Sequence, residues 1–161
     1  MGQRKEGKAL GGRVWAALLS FGLIGQIAWV VENMYFNVFL YNTVTGDTGM
    51  IAAMVAASAV VAAVTTLVVG ALSDKLGMRK PIIVTGYLLW GLSVMAFALV
   101  RVSGLERLLG PAKAVQTAAV LVIVLDCVMT FFGSSANDAA FNAWVTDVTN
   151  DSNRGRVEAV L

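Results

Sequence analysis

Residues 70–80 read Gly-Ala-Leu-Ser-Asp-Lys-Leu-Gly-Met-Arg-Lys and form the most strongly charged run between Arg13 and Arg101. The run contains one acid, three bases and two glycines, and a long apolar segment lies on either side of it. A short charged connection between apolar segments of this kind is typical of a turn at a membrane surface. The stretch therefore predicts two membrane-spanning helices joined by a tight turn.

The composition of the whole chain also indicates a membrane protein. Of its 161 residues, 58% are hydrophobic and 14% are charged, whereas a soluble domain has about 25% charged residues. The mean hydropathy is +0.75. The absence of histidine excludes His-based zinc sites and acid–base catalysis, and the single Cys127 excludes an internal disulfide. With no metal-ligand spacing and no phosphate-binding loop, we predict no enzyme activity, metal, cofactor or nucleic-acid partner.

Four segments have the roughly 20 apolar residues that a helix needs to cross a bilayer. We place these spans at about 14–41, 49–73, 81–101 and 112–146, after a basic N-terminal segment 1–13, with a fifth helix starting after about 155. Each span must be helical because lipid offers no hydrogen-bond partner to an open strand edge. The predicted fold class is an all-α integral membrane protein, and residues 101–113 are interpreted as a surface loop.

Lysine and arginine are divided unevenly between the two predicted sides. The side of the N-terminus and of the 70–80 turn carries nine of the twelve bases: Arg4, Lys5, Lys8, Arg13, Lys75, Arg79, Lys80, Arg154 and Arg156. The other side carries three: Arg101, Arg107 and Lys113. Because bases concentrate in cytoplasmic segments, we predict a cytoplasmic N-terminus in a protein of the cell membrane.

Polar side chains are concentrated on the first and fourth spans. On the first, Gln26, Trp29, Asn33 and Asn37 fall within about 80° of arc, with Glu32 at the edge of that stripe. On the fourth, one face carries Asp126, Thr130, Gly133, Asn137 and Trp144, and a row about 120° away carries Ser134, Asp138 and Asn142. An acid at the centre of a membrane helix costs at least ~2.5 kcal/mol, so these acids face protein or water. The two spans are predicted to line a polar space.

The 70–80 turn resembles the signature Gly-x-x-x-Asp-[Arg/Lys]-x-Gly-[Arg/Lys]-[Arg/Lys], which members of the major facilitator superfamily carry between their second and third helices. Matching residues are Gly70, Asp74, Lys75, Gly77 and Arg79; Met78 departs from the signature, and Lys80 follows. The resemblance implies a carrier made of two six-helix halves that works by alternating access. The chain would then be part of the N-terminal six-helix bundle, with the C-terminal half of the same carrier missing.

Two further stretches are similar to the glycoside–pentoside–hexuronide:cation symporters of that superfamily. Residues 26–37, continuing to Thr45-Gly46, resemble the first helix of that branch. Asn137-Asp138, residues 141–144 and residues 151–156 resemble its fourth helix and the loop that follows. The resemblance implies that the cargo is a sugar or a similar small polar solute.

Roles follow from the resemblance and from the two polar faces. The substrate-binding candidates are Gln26, Trp29, Asn33, Asn37, Asn137 and Asn142, and the candidates for binding a proton or coupling ion are Glu32, Asp126 and Asp138. Sodium-coupled members of the branch carry acids on their second helix, and this second span has none. Sodium coupling is therefore not favoured, and proton coupling through Glu32 or Asp126, or no coupling, stays open.

The candidate cytoplasmic gate consists of Gly70, Asp74, Lys75, Gly77, Arg79, Lys80, Arg154 and Arg156. We expect Gly70 to allow close helix approach and Gly77 to take a positive φ. Asp74 is expected to accept hydrogen bonds from a helix N-terminus or to pair with Arg154 or Arg156.

Two other functions are compatible with a short helical membrane protein. One is a complete four-helix small exporter that acts as a dimer, which would also use a first-helix glutamate. The other is a non-transporting scaffold subunit, which would not need acids in its first and fourth spans.

Overall fold

The computed structural model describes residues 10–161, and of Ala112 it describes the backbone alone. Most of the predicted N-terminal segment 1–13 lies outside these residues. Every described element is a helix. Four spans are long and apolar enough to cross a membrane: Gly12–Val44 (α1), Thr48–Leu76 (α2), Arg79–Leu99 (α3) and Lys113–Val148, within a helix that begins at Pro111 (α5). A short helix Val102–Leu109 (α4) precedes α5, and Arg154–Glu158 (α6) follows it. The predicted all-α membrane fold is confirmed.

Local signals in the sequence explain where α2 begins and ends. The side chain of Asp47 accepts a hydrogen bond of 2.8 Å from the N–H of Gly49 and caps the start of the helix. Gly77 adopts φ 64° at the other end and donates its N–H to the carbonyl of Ser73, as predicted for this glycine. The connections on either side of α2 are therefore only a few residues long, so α1, α2 and α3 run antiparallel to their neighbours.

The predicted surface loop at 101–113 is wrong, because most of it forms α4. Val102 and Leu105 pack on the core, whereas Leu108 is 81% exposed. This spacing of apolar residues is that of an amphipathic helix lying at an interface. Gly110, with φ 79°, ends α4, and Pro111 starts α5.

Buried side chains form two clusters along the bundle. Phe36 of α1, Met54 of α2, Trp90 of α3 and Met129 of α5 belong to the cluster that continues toward α4. The second cluster lies toward the 70–80 turn, and its members are Leu18, Ile83, Ala140, Phe141, Val145 and Val157. Val157 is fully buried, so α6 is docked on the bundle.

Helices α3 and α5 approach closely at glycines, whereas Gly70, the glycine of α2 that was expected to allow close approach, contributes less. A Cβ atom on Gly70 would lie 4.0 Å from the Cβ of Ala139, which is an ordinary contact. A Cβ on Gly86 would lie 2.6 Å from the Cβ of Ala136, and one on Gly133 would lie 2.8 Å from Trp90. Small residues thus let α3 and α5 pack backbone to backbone, as in other membrane helix pairs.

Candidate functional site

A polar cavity of about 180 Å³ lies between α1, α2, α3 and α5. Its lining residues are Trp29, Glu32, Asn33, Asn37, Met54, Val55, Ser58, Ala59, Ala62, Trp90, Asp126, Thr130, Gly133, Ser134, Asn137 and Asp138. The acids and amides come from α1 and α5, and Met54 and Trp90 connect the cavity to the apolar core. The four helices therefore enclose a polar space within a bundle that is otherwise apolar.

The cavity brings together seven of the nine side chains predicted for solute and ion binding. They are Trp29, Glu32, Asn33, Asn37, Asp126, Asn137 and Asp138. The other two, Gln26 and Asn142, are exposed and do not line it. Sequence reasoning missed Ser58 of α2, whose hydroxyl donates to the carbonyl of Met54 at 3.0 Å. The only feature of the sequence that could have indicated Ser58 is that it is a polar residue within an apolar span.

Several of the polar residues on α1 and α5 lie within π-helical turns, which are wider than α-helical turns. One such turn, Val31–Tyr35, contains Glu32 and Asn33, and an eight-residue stretch, Ser134–Phe141, contains Asn137 and Asp138. π-Helical turns are rare and are frequent at functional sites. Each residue of a wider turn advances the chain by a smaller angle than in an α-helix. Ser134 and Asp138 line the same cavity as Asn137, although the α-helical period places their row about 120° from its face.

A hydrogen bond joins the two polar helices across the cavity. The hydroxyl of Thr130 on α5 donates to Oε1 of Glu32 on α1 at 2.8 Å. Asp126 lies one helical turn before Thr130 on the same face and is only 3% exposed. Two carboxyl groups from different helices thus face one small space.

A second polar connection involves α3. Tyr87 donates its hydroxyl to Oδ1 of Asn137 at 2.8 Å, and the amide of Asn137 donates to Asp138 at 3.1 Å. Gly25 of α1 leaves room for this arrangement, since a Cβ there would lie 2.5 Å from Oδ1 of Asn137. Tyr87 therefore holds the Asn137 amide in the orientation that it presents to Asp138.

Loss of the Tyr87 hydroxyl should weaken the bundle measurably. We expect Tyr87→Phe to lower the free energy of unfolding by about 0.6–2 kcal/mol, the usual value of an interhelical hydrogen bond in a membrane protein. Thermal unfolding in lipid nanodiscs is the measurement. Tyr35→Phe is the matched control, because Tyr35 is 67% exposed. Equal melting temperatures for the two variants would show that the Tyr87 bond does not stabilise the protein.

The 70–80 turn carries a charged cluster centred on Arg79. Nη2 of Arg79 lies 2.9 Å from Oδ1 of Asp74, and Nε lies 2.6 Å from Oδ2 of Asp147 at the end of α5. Nη2 also donates to Oδ1 of Asp147 at 3.3 Å. Arg79 therefore bridges α2, α3 and α5, with a two-pronged contact to Asp147.

The pairing expected for Asp74 is wrong. The turn at Gly77 folds Arg79 back onto Asp74, so the partner is local and belongs to the signature itself. Arg154 instead donates to Thr149 and to the carbonyl of Thr146, closing the corner between α5 and α6. Lys75, Lys80 and Arg156 are exposed. Sequence reasoning missed Asp147; its one signal was its position at the end of the fourth span, on the side of the turn.

The sequence matches the family described as Major Facilitator Superfamily over residues 9–161. The match covers nearly the whole chain, including all four spans, the cavity and the Arg79 cluster. No curated protein matches the chain, and no solved structure matches it.

Proposed function

Because the chain belongs to the major facilitator superfamily, whose members move small solutes across membranes, we propose that its polar cavity binds the transported solute. The observation that carries the proposal is the convergence of acids and amides from α1 and α5 on one space inside an apolar bundle. Ionisable side chains within a membrane are costly and mark substrate or ion pathways. The mechanism would be alternating access around this site.

The cavity has the size and exposure expected of one wall of a larger binding site. Its volume of about 180 Å³ is below the range of roughly 300–1,000 Å³ that is typical of ligand pockets. Trp29 is 60% exposed, and Asn33 and Asp138 are exposed too. In carriers built from repeats, the solute lies between two bundles. We infer that a second bundle, the C-terminal half expected from the sequence, supplies the opposite wall.

The Arg79 cluster is proposed to close the cytoplasmic end of the path. It links three helices at the end of the bundle that carries Lys75 and Lys80. The excess of bases at this end favours a cytoplasmic location in the cell membrane. Asp74 is 61% exposed and Asp147 is 50% exposed, so water can solvate both carboxylates when the pairs separate. The cluster can therefore hold the end closed and still open during a cycle.

The sugar cargo implied by the sequence resemblance stays a prediction, as does the coupling ion. Glu32 is our candidate proton carrier because it reaches across to Thr130 and faces the same cavity as Asp126 and Asp138. Membership of the superfamily favours a carrier over the dimeric four-helix exporter and over the scaffold subunit.

Removing the charge of Glu32 tests both transport and coupling. We expect Glu32→Gln to abolish the pH dependence of solute uptake, since the amide keeps the acceptor for Thr130 but cannot release a proton. The measurement is uptake into proteoliposomes that contain the carrier with its second bundle, with and without an imposed pH gradient. Glu106→Gln is the control, because Glu106 is exposed on α4 outside the cavity.

Two results would contradict this assignment. Retained pH dependence in Glu32→Gln would exclude Glu32 as the proton carrier and would direct the test to Asp126. Absence of uptake by the unaltered carrier with its second bundle present, across charged and neutral small solutes, would contradict the proposed function itself.

A further inference from the structure

The charged side chains that line the cavity are all acidic. Three carboxyl groups line it, those of Glu32, Asp126 and Asp138, and the lining that the structure describes contains no lysine or arginine. Asp126 is 3% exposed, and the ion pairs found within residues 10–161 do not include it. A carboxyl group withdrawn this far from water is stabilised by protonation or by a partner of opposite charge. The wall therefore favours a cation over an anion.

Five lining residues each use one hydrogen-bond donor inside the bundle. The donors and their acceptors are Asn33 to the carbonyl of Trp29, Asn37 to the carbonyl of Asn33, Ser58 to the carbonyl of Met54, Thr130 to Glu32, and Asn137 to Asp138. The three carboxyl groups offer oxygen acceptors to a ligand, and the indole N–H groups of Trp29 and Trp90 are donors beside them. A ligand that satisfies such a wall is rich in donors, because a buried acceptor left without a partner is costly.

Aromatic and apolar side chains complete the wall. Trp29 lines the cavity and is 60% exposed, and Trp90 of α3 lines it as well. The face of an indole ring attracts a cation through its quadrupole. Met54 and Val55 of α2 add apolar surface. The combination of acids, indoles and apolar groups suits a charged head on an apolar body.

We propose that the cavity binds a small organic cation with N–H donors, such as a primary ammonium or guanidinium compound. The proposal rests on the carrier function proposed above and specifies the class of its cargo. The N–H groups of the ligand pair with the carboxylates and amide oxygens, and its body packs against Trp29 and Met54. The neutral sugar expected from the sequence is the competing cargo.

Three probes that share one ring and differ in charge separate these classes. They are benzylammonium, benzyl alcohol and benzoate, with glucose as the neutral sugar, and calorimetry on the protein in nanodiscs of zwitterionic lipid gives the affinities. We expect benzylammonium to bind at least about tenfold more tightly than benzyl alcohol, because a site built to pair with donors rejects the analogue that lacks them. Benzoate should not bind.

Variants of the lining acids test whether benzylammonium binds in the cavity. We expect Asp126→Asn and Asp138→Asn each to weaken benzylammonium binding at least about tenfold, since each removes one of the three charges. Asp138 is exposed, so its variant should keep the fold even if the Asp126 variant does not. Glu106→Gln, which removes an acid outside the cavity, should leave the affinity unchanged.

The contrary outcomes distinguish the two proposals. Tighter binding of glucose or benzyl alcohol than of benzylammonium, lost on Trp29→Ala, would overturn the cation class and leave the carrier function standing. Binding of benzylammonium that the Asp126 and Asp138 variants do not weaken would also overturn it. If the folded protein bound none of the four probes, both the cargo class and the solute site would be contradicted.

Discussion

Replacing Gly86 by valine should be strongly destabilising, because it forces apart two closely packed helices, α3 and α5. The new Cβ atom would lie 2.6 Å from the Cβ of Ala136 and 3.3 Å from its Cα. Both of those atoms are fixed to the backbone of α5, so neither can rotate away. Overpacking of a buried site typically costs about 1–3 kcal/mol and occasionally more, and we expect Gly86→Val to lie at or above the upper end. Thermal unfolding in nanodiscs is the measurement.

The same helix offers a matched control. Gly91 is exposed, and a Cβ atom there would meet nothing within 4 Å. Gly91→Val should therefore change the melting temperature little, although it adds the same side chain to the same helix. Gly86→Ala is a milder variant that should shift stability in the same direction if the valine variant does not accumulate. Equal stability of the Gly86 and Gly91 variants would show that α3 and α5 are not packed this closely.

Replacing Arg79 by glutamine should reduce transport at least about tenfold while leaving the protein folded. Asp74 and Asp147 both lose their partner, and the link between α2, α3 and α5 is lost with them. Exposed ion pairs contribute only about 0–1 kcal/mol to stability, and both carboxylates are at least half exposed. The loss should therefore appear in solute uptake by proteoliposomes that contain the carrier with its second bundle, and not in the melting temperature.

Variants at neighbouring residues test whether transport needs the Arg79 cluster itself and not charge at this surface in general. Lys80→Gln removes an adjacent positive charge from an exposed side chain, and it should transport normally. Asp147→Asn should reduce uptake, because it breaks the two-pronged contact with Arg79, whereas Asp151→Asn, an exposed acid a few residues on, should not. Normal uptake by Arg79→Gln would remove the Arg79 cluster from the transport cycle.

Much of the site could be predicted from the sequence because an acid or amide inside a membrane span carries a strong signal. Glu32, Asp126 and Asp138 stand out from apolar surroundings, and seven of the nine predicted side chains do line the cavity. Gln26 and Asn142 stood out equally well but lie outside it. The projection at 100° per residue could not separate them, because it gives the direction of a side chain around its own helix and not which residues of the other helices it meets.

The sequence by itself determined the number of spans, their helical state and the turn at Gly77. Each of these follows from local chemistry: apolar length, the hydrogen-bonding demand of a backbone in lipid, and a glycine that tolerates φ 64°. Only the tertiary structure decided which side chains meet. Asp74 pairs with Arg79, Asp147 joins them from the far end of α5, and Tyr87 orients Asn137 from α3. The physical reason is that partners distant in sequence depend on how closely helices approach, and at Gly25 and Gly86 that approach is set by the absence of a single Cβ atom.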